Sequence, residues 1–571
     1  MARKRRRKKN NQLIPVLIAV ALIIVIGGGA LGGLLLSKYS YSDEKMDLDE
    51  YYNITEADEV AVVLQNEHIE TKAKLSQGVH YLEFGSIQEL LNDRFYHDVA
   101  EGLLLYTTPT ELIRTEVGSN VYTIGNESVK TDYQISFYEE ENLYVALDYV
   151  RNYTNFSYEP YSMPNRMQLT TQWPETTTAV VKKNTQIRYR GGVKSDILRE
   201  VEKGEVVTVL EKMENWTKVK TFDAFIGYVP SKTLKDEQTF IPSVEPNYVE
   251  PEYTSLTRDY KINMGWHQVM SEAANVTLEN AVMANSNMNV ISPTWFSLKS
   301  NDGDIRCIAT QDYVDKAHGM GMEVWALIDN FDKDVSTFQV LSRTTSRTNL
   351  IRNLMAEVLR YDIDGINVDF EEVSSDAGEP FVQFIRELSI ECRKEGIVLS
   401  IDNYVPREYT AHYNRKEQGI VADYVIIMGY DEHWGGGGVA GSVASIGFVE
   451  DGIVQTLEDV PANKIINGVP FYTRVWKTKG DKVTSEAVDM ETAHNFIKKN
   501  SVSMAWNAKA GQNYGEVQIG DTLYQLWMED KDSIEAKLAV MRKHNIGGVA
   551  AWKLGYETPD IWDMIATYMN S

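Results

Sequence analysis

Three polar side chains, two of them carboxylic acids that could carry acid–base chemistry, alternate with apolar ones in the segment DGINVDFEEV, residues 364–373. Asn367, Asp369 and Glu371 stand at every second position, which is the period at which side chains of a β-strand share one face. Burying acids costs free energy unless they are paired or protonated, so the pattern predicts shifted pKa values and a functional role. The alternative interpretation is a purely structural network of satisfied polar groups.

The elements that must position these side chains lie in residues 257–571, where strand-like apolar runs alternate with helical segments. Eight such runs favour a (β/α)8 TIM barrel, whose active site lies at the C-terminal ends of the strands. Glu371 is therefore expected nearest the substrate, and Glu372 is expected to be an ordinary surface charge. The runs are KINMGWHQV, NVISPTWFSL, GMEVWALID, DGINVDFEEV, GIVLSIDNYV, DYVIIMGYD, KIINGVPFY and GGVAAWKL.

The segment DGINVDFE resembles the signature strand of glycoside hydrolase family 18, the chitinase-like enzymes, written D-x-x-D-x-D-x-E. Asp364, Asp369 and Glu371 match the pattern, and Asn367 stands where its second acid usually is, a variation that the family contains. Three further segments follow in the order that the family has, namely MGYD at 428–431, GVPFYTRVW from 468 and AAWKLGYE from 550. The resemblance covers more than half of the chain.

This resemblance implies retaining hydrolysis of β-linked N-acetylglucosamine polymers, in which the sugar's own 2-acetamido oxygen attacks the anomeric carbon. Glu371 would protonate the leaving oxygen and then activate water. Asp369 would orient the acetamido group and stabilise the oxazolinium cation, and Tyr430 would hydrogen-bond its carbonyl.

The resemblance assigns substrate binding to Asn367, Asp431 and Trp552. Trp552 would form the apolar floor beneath the sugar, and Asp431 would position the sugar and tune Glu371. Two close aspartates in the full pattern can share a proton, whereas an amide at 367 can hydrogen-bond Asp369 but cannot take up its charge. We therefore expect Asn367 to affect the pH optimum more than the activity.

Further candidates for lining the cleft follow two strands. Trp325, Asp329 and Asn330 close the third strand, and His433 and Trp434 follow the sixth, where a packed loop pair is the alternative. The Gly-rich segment after Tyr430 resembles family members that bacilli and clostridia use on spore cortex and cell wall. Peptidoglycan is therefore the predicted substrate and partner.

Three other functions are weighed against this one. They are a chitinase acting on exogenous chitin, a catalytically weak, lectin-like glycan-binding protein, and a metal-dependent deacetylase. The signature strand has no histidine in ligand spacing with its carboxylates, and no nucleotide-binding Gly motif occurs, so neither a metal nor a cofactor is predicted.

The N-terminus predicts a membrane anchor. Residues 1–12 are strongly basic, residues 13–36 are apolar and uncharged, and the remainder of this chain of net charge −25 is acidic. An apolar helix of this length reaches about 36 Å, enough for a hydrocarbon core of about 30 Å. The basic residues place the tail in the cytoplasm and the rest outside a bacterial cell; a cleaved signal peptide is the alternative. The acidic exterior disfavours nucleic acid as a partner.

The length of 571 residues exceeds what one core supports and predicts several domains. We expect a tether over 37–56, an α+β accessory domain over 57–172 and an all-β domain over 177–237. The last resembles a bacterial SH3 domain, with Trp216 and Tyr228 as either ligand-groove or core aromatics. A linker over 239–256 contains three prolines and precedes the barrel at 257–571.

Overall fold

A computed structural model describes residues 13–242, 248–283 and 287–570. The predicted basic tail, residues 1–12, and part of the predicted linker lie outside the described residues. The chain divides into two compact units, one comprising residues 1–93 and 131–250 and the other residues 94–130 and 251–571. The N-terminal helix Leu13–Tyr39 is long and apolar enough to cross a membrane, a property that a signal sequence shares.

The first unit contains two seven-stranded sheets. The strands of the accessory sheet, in spatial order, are Ser157–Tyr161, Arg166–Thr170, Glu59–Leu64, Glu67–Ser76, Val79–Glu83, Asn142–Ala146 and Ser136–Glu139. The SH3-like sheet consists of Ile197–Val201, Thr185–Arg188, Ile226–Pro230, Trp216–Lys220, Val206–Lys212, Thr176–Val181 and Leu234–Phe240. The short helices are Leu48–Tyr52, Phe84–Leu90 and Leu147–Val150, with a 3₁₀ turn at Ser231–Thr233. The predicted all-β domain is thus present.

The predicted tether over 37–56 packs in part against the SH3-like sheet. The backbone N–H of Ser42 donates to the carbonyl of Val193, and that of Met46 donates to the carbonyl of Ile197. Tyr52 is fully buried and donates its hydroxyl proton to the carbonyl of Ala224 at 2.9 Å. A buried tyrosine with a satisfied hydroxyl fixes this segment, which an acidic and polar composition alone does not reveal.

Eight parallel strands of the second unit close into a barrel. The first strand pairs with both the second and the eighth, so the sheet has no open edge there. In chain order the strands are Ile262–His267, Val290–Leu298, Glu323–Asp329, Gly365–Asp369, Val398–Tyr404, Tyr424–Met428, Ile465–Pro470 and Gly548–Trp552. All eight coincide with the predicted runs, and the TIM-barrel prediction is confirmed.

The barrel strands have one face in the barrel interior and one against the surrounding helices. Large apolar side chains, among them Trp266, Trp325 and Leu327, fill the interior, while Ile366 and Val368 join the outer core. The helices are Leu278–Val282, Gln311–Gly319, Thr337–Ser342, Thr344–Tyr361, Gly378–Glu395, Arg415–Val421, Ile446–Leu457, Met490–Asn500, Lys531–His544 and Ile561–Met569. Short 3₁₀ turns occur at Glu272–Thr277, Ser375–Ala377, Glu408–Tyr413 and Ala462–Lys464.

Two antiparallel sheets accompany the barrel, and the sequence patterns predicted neither. One lies between the seventh and eighth barrel strands and comprises Tyr472–Lys479, Lys482–Asp489, Ser503–Asn507, Gln512–Ile519 and Thr522–Trp527. The other comprises Phe95–Asp98, Leu103–Thr107, Leu112–Glu116, Val121–Ile124 and Glu127–Lys130. A three-residue strand, Ile305–Cys307, pairs antiparallel with the end of the second barrel strand.

The sheet of residues 94–130 was predicted as part of the accessory domain, yet it groups with the barrel. Asp98 on its first strand is fully buried and accepts hydrogen bonds from the backbone N–H and the hydroxyl of Thr344, each at 2.6 Å. Thr344 begins the helix Thr344–Tyr361, whose own N-cap residue, Arg343, makes no side-chain cap bond. Asp98 therefore caps a barrel helix from a distant part of the chain.

We expect Asp98→Ala to lower the free energy of unfolding of the barrel unit by about 1–2 kcal/mol, because a helix loses its cap. Urea unfolding of the full chain in detergent, followed by tryptophan fluorescence, measures this loss. Glu127→Ala, which removes an exposed acid from the same sheet, is the matched control and should leave the transition in place. Equal transitions for both variants would show that the cap contributes nothing.

Candidate active site

The fourth barrel strand carries its polar side chains into the barrel, as its alternation predicts. Ile366 and Val368 lie in the outer core, while Asn367 and Asp369 point inward and are almost completely buried. Glu371 follows the strand's last residue, Asp369. Two hydrogen bonds with Asn330 fix the Glu371 backbone: its N–H donates to Oδ1 at 2.9 Å, and its carbonyl accepts from Nδ2 at 2.9 Å. The end of the third strand thus positions the acid.

A cavity of about 150 Å³ lies at the C-terminal ends of the strands. It brings together five of the six predicted site residues, namely Asp369, Glu371, Tyr430, Asp431 and Trp552. Five residues that were not predicted for the site complete the lining: Trp266, Phe331, Asp402, Tyr404 and Met428. Acids and aromatic rings therefore face one small space.

Asn367, which we predict to bind substrate, is fully buried and is not among the residues that line this cavity. Its Oδ1 accepts hydrogen bonds from the Trp266 indole at 2.9 Å and the Ser292 hydroxyl at 3.2 Å. Its Nδ2 donates to the Ser400 hydroxyl at 3.2 Å and to Asp402 Oδ1 at 2.9 Å. The amide is fully occupied by protein partners below the cavity, so it acts on the site through its neighbours.

Glu371 has the environment of a general acid. Burial raises the pKa of its carboxyl, and the nearby carboxyls of Asp431, Glu372 and Asp329 raise it further. Tyr404 acts in the opposite direction, since its hydroxyl donates to Glu371 Oε2 at 2.8 Å and so favours the carboxylate. A raised pKa keeps a carboxylic acid protonated closer to neutral pH, where it can donate its proton to a leaving group.

Asp369 is buried more deeply and lacks a donor. It is 7% exposed, and among the residues that the structure describes its Oδ1 has no hydrogen-bond partner. Burial raises the pKa of Asp369 well above its usual range, and the carboxyls of Asp402, Glu371 and Asp329 add to the effect. An unpartnered carboxyl oxygen in a cavity is able to accept a hydrogen bond from a bound ligand.

Asp431 and the aromatic residues define the remaining walls. Asp431 accepts hydrogen bonds from the Tyr472 hydroxyl at 2.7 Å and from Arg474 at 3.4 Å, both on the sheet inserted after the seventh strand. The Trp266 ring contacts the rings of Trp552 and Tyr430 edge-on, with centroids 6.1 and 6.4 Å apart. Apolar ring faces of this kind stack against sugar rings, so Trp552 is suited to the predicted floor.

The other residues that were predicted to line the cleft lie at separate positions in the barrel unit. Trp325 is fully buried in the barrel interior, where its indole donates to Glu323 at 2.9 Å, so its predicted place in the cleft is wrong. Asp329 lines a neighbouring cavity together with Phe331, which also lines the main one. The His433 ring bonds to the Ser442 carbonyl, which fits the alternative of a packed loop.

Sequence analysis missed Asp402 and Tyr404, although a usable signal was present. In LSIDNY, Ser400, Asp402 and Tyr404 alternate with Leu399 and Ile401, just as the polar residues of the fourth strand do. The same period-2 argument applied to the fifth strand predicts these side chains inside the barrel. Within residues 13–242, 248–283 and 287–570, no group of three or more His, Cys, Asp or Glu residues could hold a metal ion.

Glu371 and Trp552 line one cavity at the C-terminal mouth of a closed parallel barrel, an arrangement suited to a glycosidase. The family model described as "Glycosyl hydrolases family 18" matches residues 254–557, more than half of the chain, and "Bacterial SH3 domain" matches residues 183–235. The chain belongs to glycoside hydrolase family 18. It is a glycosidase of that family with an SH3-like domain.

Relatives and solved structures agree with this assignment. The uncharacterized glycosylase YvbX of Bacillus subtilis (strain 168) is 27% identical over 49% of this chain and 84% of its own length. The cortical fragment-lytic enzyme of the same organism is 28% identical over 40% of this chain and 56% of its own length, so the chain spans about half of that relative. The Bacillus cereus spore cortex-lytic enzyme SleL, 24% identical with a TM-score of 0.50, covers 58% of this chain and 77% of its own, and shares the fold.

The hydrogen bond from Tyr404 to Glu371 is expected to set the basic limb of the pH–rate profile. Tyr404→Phe removes a donor that favours the Glu371 carboxylate, so the pKa of Glu371 rises and the protonated acid persists to higher pH. We expect the basic limb to move to higher pH, with the rate below that limb falling by less than about tenfold. Tyr409→Phe, at an exposed tyrosine, is the control. A basic limb that stays in place in Tyr404→Phe would contradict this role.

Asp369 is expected to destabilise the fold as pH rises. Its folded-state pKa lies above that of the unfolded chain, so the folded state holds a proton that the unfolded state releases, and stability falls as pH rises from about 4 through the folded-state pKa. Asp369→Asn should therefore unfold at a higher temperature than the wild type at neutral and alkaline pH. Thermal scans across pH measure the difference, which should close toward pH 4; a constant difference would argue against a buried titrating acid.

Proposed function

We propose that the protein cleaves β-linked N-acetylglucosamine polymers of the bacterial cell wall, most directly peptidoglycan, by substrate-assisted retaining hydrolysis. The observation that carries the proposal is the placement of a protonatable Glu371, an unpartnered Asp369 and Tyr430 around one cavity. These three groups supply an acid, an acceptor for the acetamido N–H and a donor for its carbonyl.

In the first step Glu371 donates its proton to the glycosidic oxygen while the acetamido oxygen attacks the anomeric carbon. The C–O bond to the leaving sugar breaks, and an oxazolinium cation forms next to Asp369, whose carboxylate stabilises the positive charge. Glu371, now ionised, removes a proton from water as that water opens the ring, which restores both the acid and the β-configuration. Trp552 supports the sugar from below, and Asp431 holds it from the side.

The choice of peptidoglycan is supported by the printed names of the relatives. Cortical fragment-lytic enzymes of three Bacillus species are among the matches at 26–28% identity. The solved bacterial structures named chitinases are only 17–20% identical to this chain, and they are similar to it in fold only. We place the SH3-like domain as a wall-binding or spacing module, in keeping with its family.

The proposed location is the outer face of the cell membrane. The apolar helix Leu13–Tyr39 would anchor the chain, and the basic residues before it would keep the N-terminus in the cytoplasm. An anchored hydrolase would act on wall polymer within reach of the membrane. Recovery of the mature protein without its first 36 residues would instead identify that helix as a cleaved signal.

Glu371→Gln tests the catalytic assignment. With the full chain in detergent and purified peptidoglycan as substrate, we expect the rate of reducing-end formation to fall by about 10²–10⁴-fold, because the acid–base group is lost while its shape is kept. Glu372→Gln is the matched control: the adjacent side chain is exposed and should retain most activity. Equal rates for Glu371→Gln and the wild type would overturn the assignment.

The same assay with chitin oligomers separates the substrates. Mass analysis of the new reducing end should identify N-acetylglucosamine released from peptidoglycan. Faster cleavage of chitin than of peptidoglycan would favour the chitinase alternative, and tight glycan binding with no product from either polymer would favour a lectin-like protein.

A further inference from the structure

Asp402 is a buried acid in the active-site cavity to which no role has been given. It lies on the fifth barrel strand, is 2% exposed and lines the same cavity as Asp369 and Glu371. Its Oδ1 accepts a hydrogen bond from Asn367 Nδ2 at 2.9 Å. A carboxyl group in such a place is costly unless the fold uses it.

Asn367 is oriented so that only its N–H₂ group can face Asp402. The Trp266 indole is a donor only, and it points at Asn367 Oδ1 together with the Ser292 hydroxyl. The opposite end of the amide must then be the nitrogen, which meets Ser400 and Asp402. The network therefore requires a hydrogen-bond acceptor at position 402, which the Asp402 carboxyl group supplies.

The electrostatic surroundings of Asp402 are uniformly acidic. Asp402 interacts electrostatically with three titratable groups: Asp369 and Glu371 of the fourth-strand segment, and Tyr430 after the sixth strand. Among the described residues Asp369, Glu371 and Asp402 form no ion pair with a lysine, arginine or histidine, whereas Asp431, the fourth acid of the cavity, pairs with Arg474. Ionising both Asp369 and Asp402 costs free energy, because each negative charge disfavours the other.

The hydrogen bonds decide which of Asp369 and Asp402 holds a proton before substrate binds. Asn367 donates to Asp402 and so favours its ionised form, whereas Asp369 Oδ1 has no partner in the described part of the chain. Burial raises the pKa of both carboxyls well above the usual range. One proton on Asp369 and one negative charge on Asp402 is the arrangement these contacts favour.

We propose that Asp402 is the proton-sharing partner of Asp369, so that the two acids hold one proton between them and Asp402 supplies from the fifth strand the carboxyl that Asn367 lacks on the fourth. As positive charge develops on the acetamido group, the proton leaves Asp369 and is taken up by Asp402. The negative charge moves to Asp369 beside the cation, and no proton enters or leaves the pair. Asp402 acts through Asp369 and is a positioning residue; this part rests on the proposed function.

The pH profile of kcat tests this partnership on the full chain with peptidoglycan. Asp402→Asn leaves Asp369 with no internal proton acceptor, so its proton must be lost to solvent. We expect kcat of this variant to fall about tenfold or more at acidic pH, with the deficit shrinking as pH rises and KM little changed. The wild type should stay flat over the same acidic range.

A variant that moves the carboxyl group from the fifth strand to the fourth tests whether Asp369 needs a neighbouring carboxyl group on either strand. Asn367→Asp combined with Asp402→Asn exchanges the acid and the amide between the two strands. This double variant should recover about tenfold of the loss seen in Asp402→Asn and regain a flat acidic limb. Tyr409→Phe, at an exposed tyrosine that does not line the cavity, is the control and should leave the acidic limb where it is. If Asp402→Asn shows the wild-type profile, or the folded double variant shows no recovery, the proposal is wrong.

A double-mutant cycle of unfolding temperatures tests for the shared proton without an activity assay. At neutral pH, Asp369→Asn and Asp402→Asn each relieve the same repulsion, so the double variant should gain less in unfolding temperature than the sum of the two single gains. Additive gains would overturn the partnership even in an active enzyme. Failure of the wild type to cleave either polymer, with a non-additive cycle, would instead refute the proposed function and leave the partnership standing.

Discussion

Three carboxyl groups, those of Asp369, Glu371 and Asp402, are held in one largely buried cavity without a basic partner among the described residues. Three other buried acids of the barrel unit are matched with bases: Glu387 with Arg347, Glu417 with Arg386 and Glu529 with Lys537. The contrast shows that the fold can neutralise a buried acid and does not do so at the mouth. Raised pKa values at this point are typical of a place where acid–base chemistry occurs.

Holding such groups together requires a rigid frame. The closed barrel supplies it, because each inward side chain is fixed by paired backbone on both sides of its strand. The site then draws on several strands at once: Asn330 after the third fixes the Glu371 backbone, and Tyr404 on the fifth holds its carboxyl.

The additional sheets extend this frame. The sheet inserted after the seventh strand brings Tyr472 and Arg474 to Asp431, so the side wall of the cavity depends on an element outside the barrel. The sheet of residues 94–130 contributes Asp98 to the start of a barrel helix. Both sheets contact the barrel through hydrogen bonds in which an aspartate side chain is the acceptor. Hydrogen bonds to a carboxylate are stronger than those between neutral groups.

The sequence by itself determined the eight barrel strands, the apolar N-terminal helix, the SH3-like domain and the acid Glu371, because strand alternation and long apolar runs are local signals. The tertiary structure decided what depends on residues far apart in the chain. It placed Asn367 beneath the cavity and buried Trp325 in the barrel interior. It also made Asp369 and Asp402 neighbours, each one residue beyond the paired Val368 and Ile401 of the fourth and fifth strands. Which of several inward-facing polar side chains reaches a cavity is set by strand register and by neighbours on other strands, and no single segment encodes that.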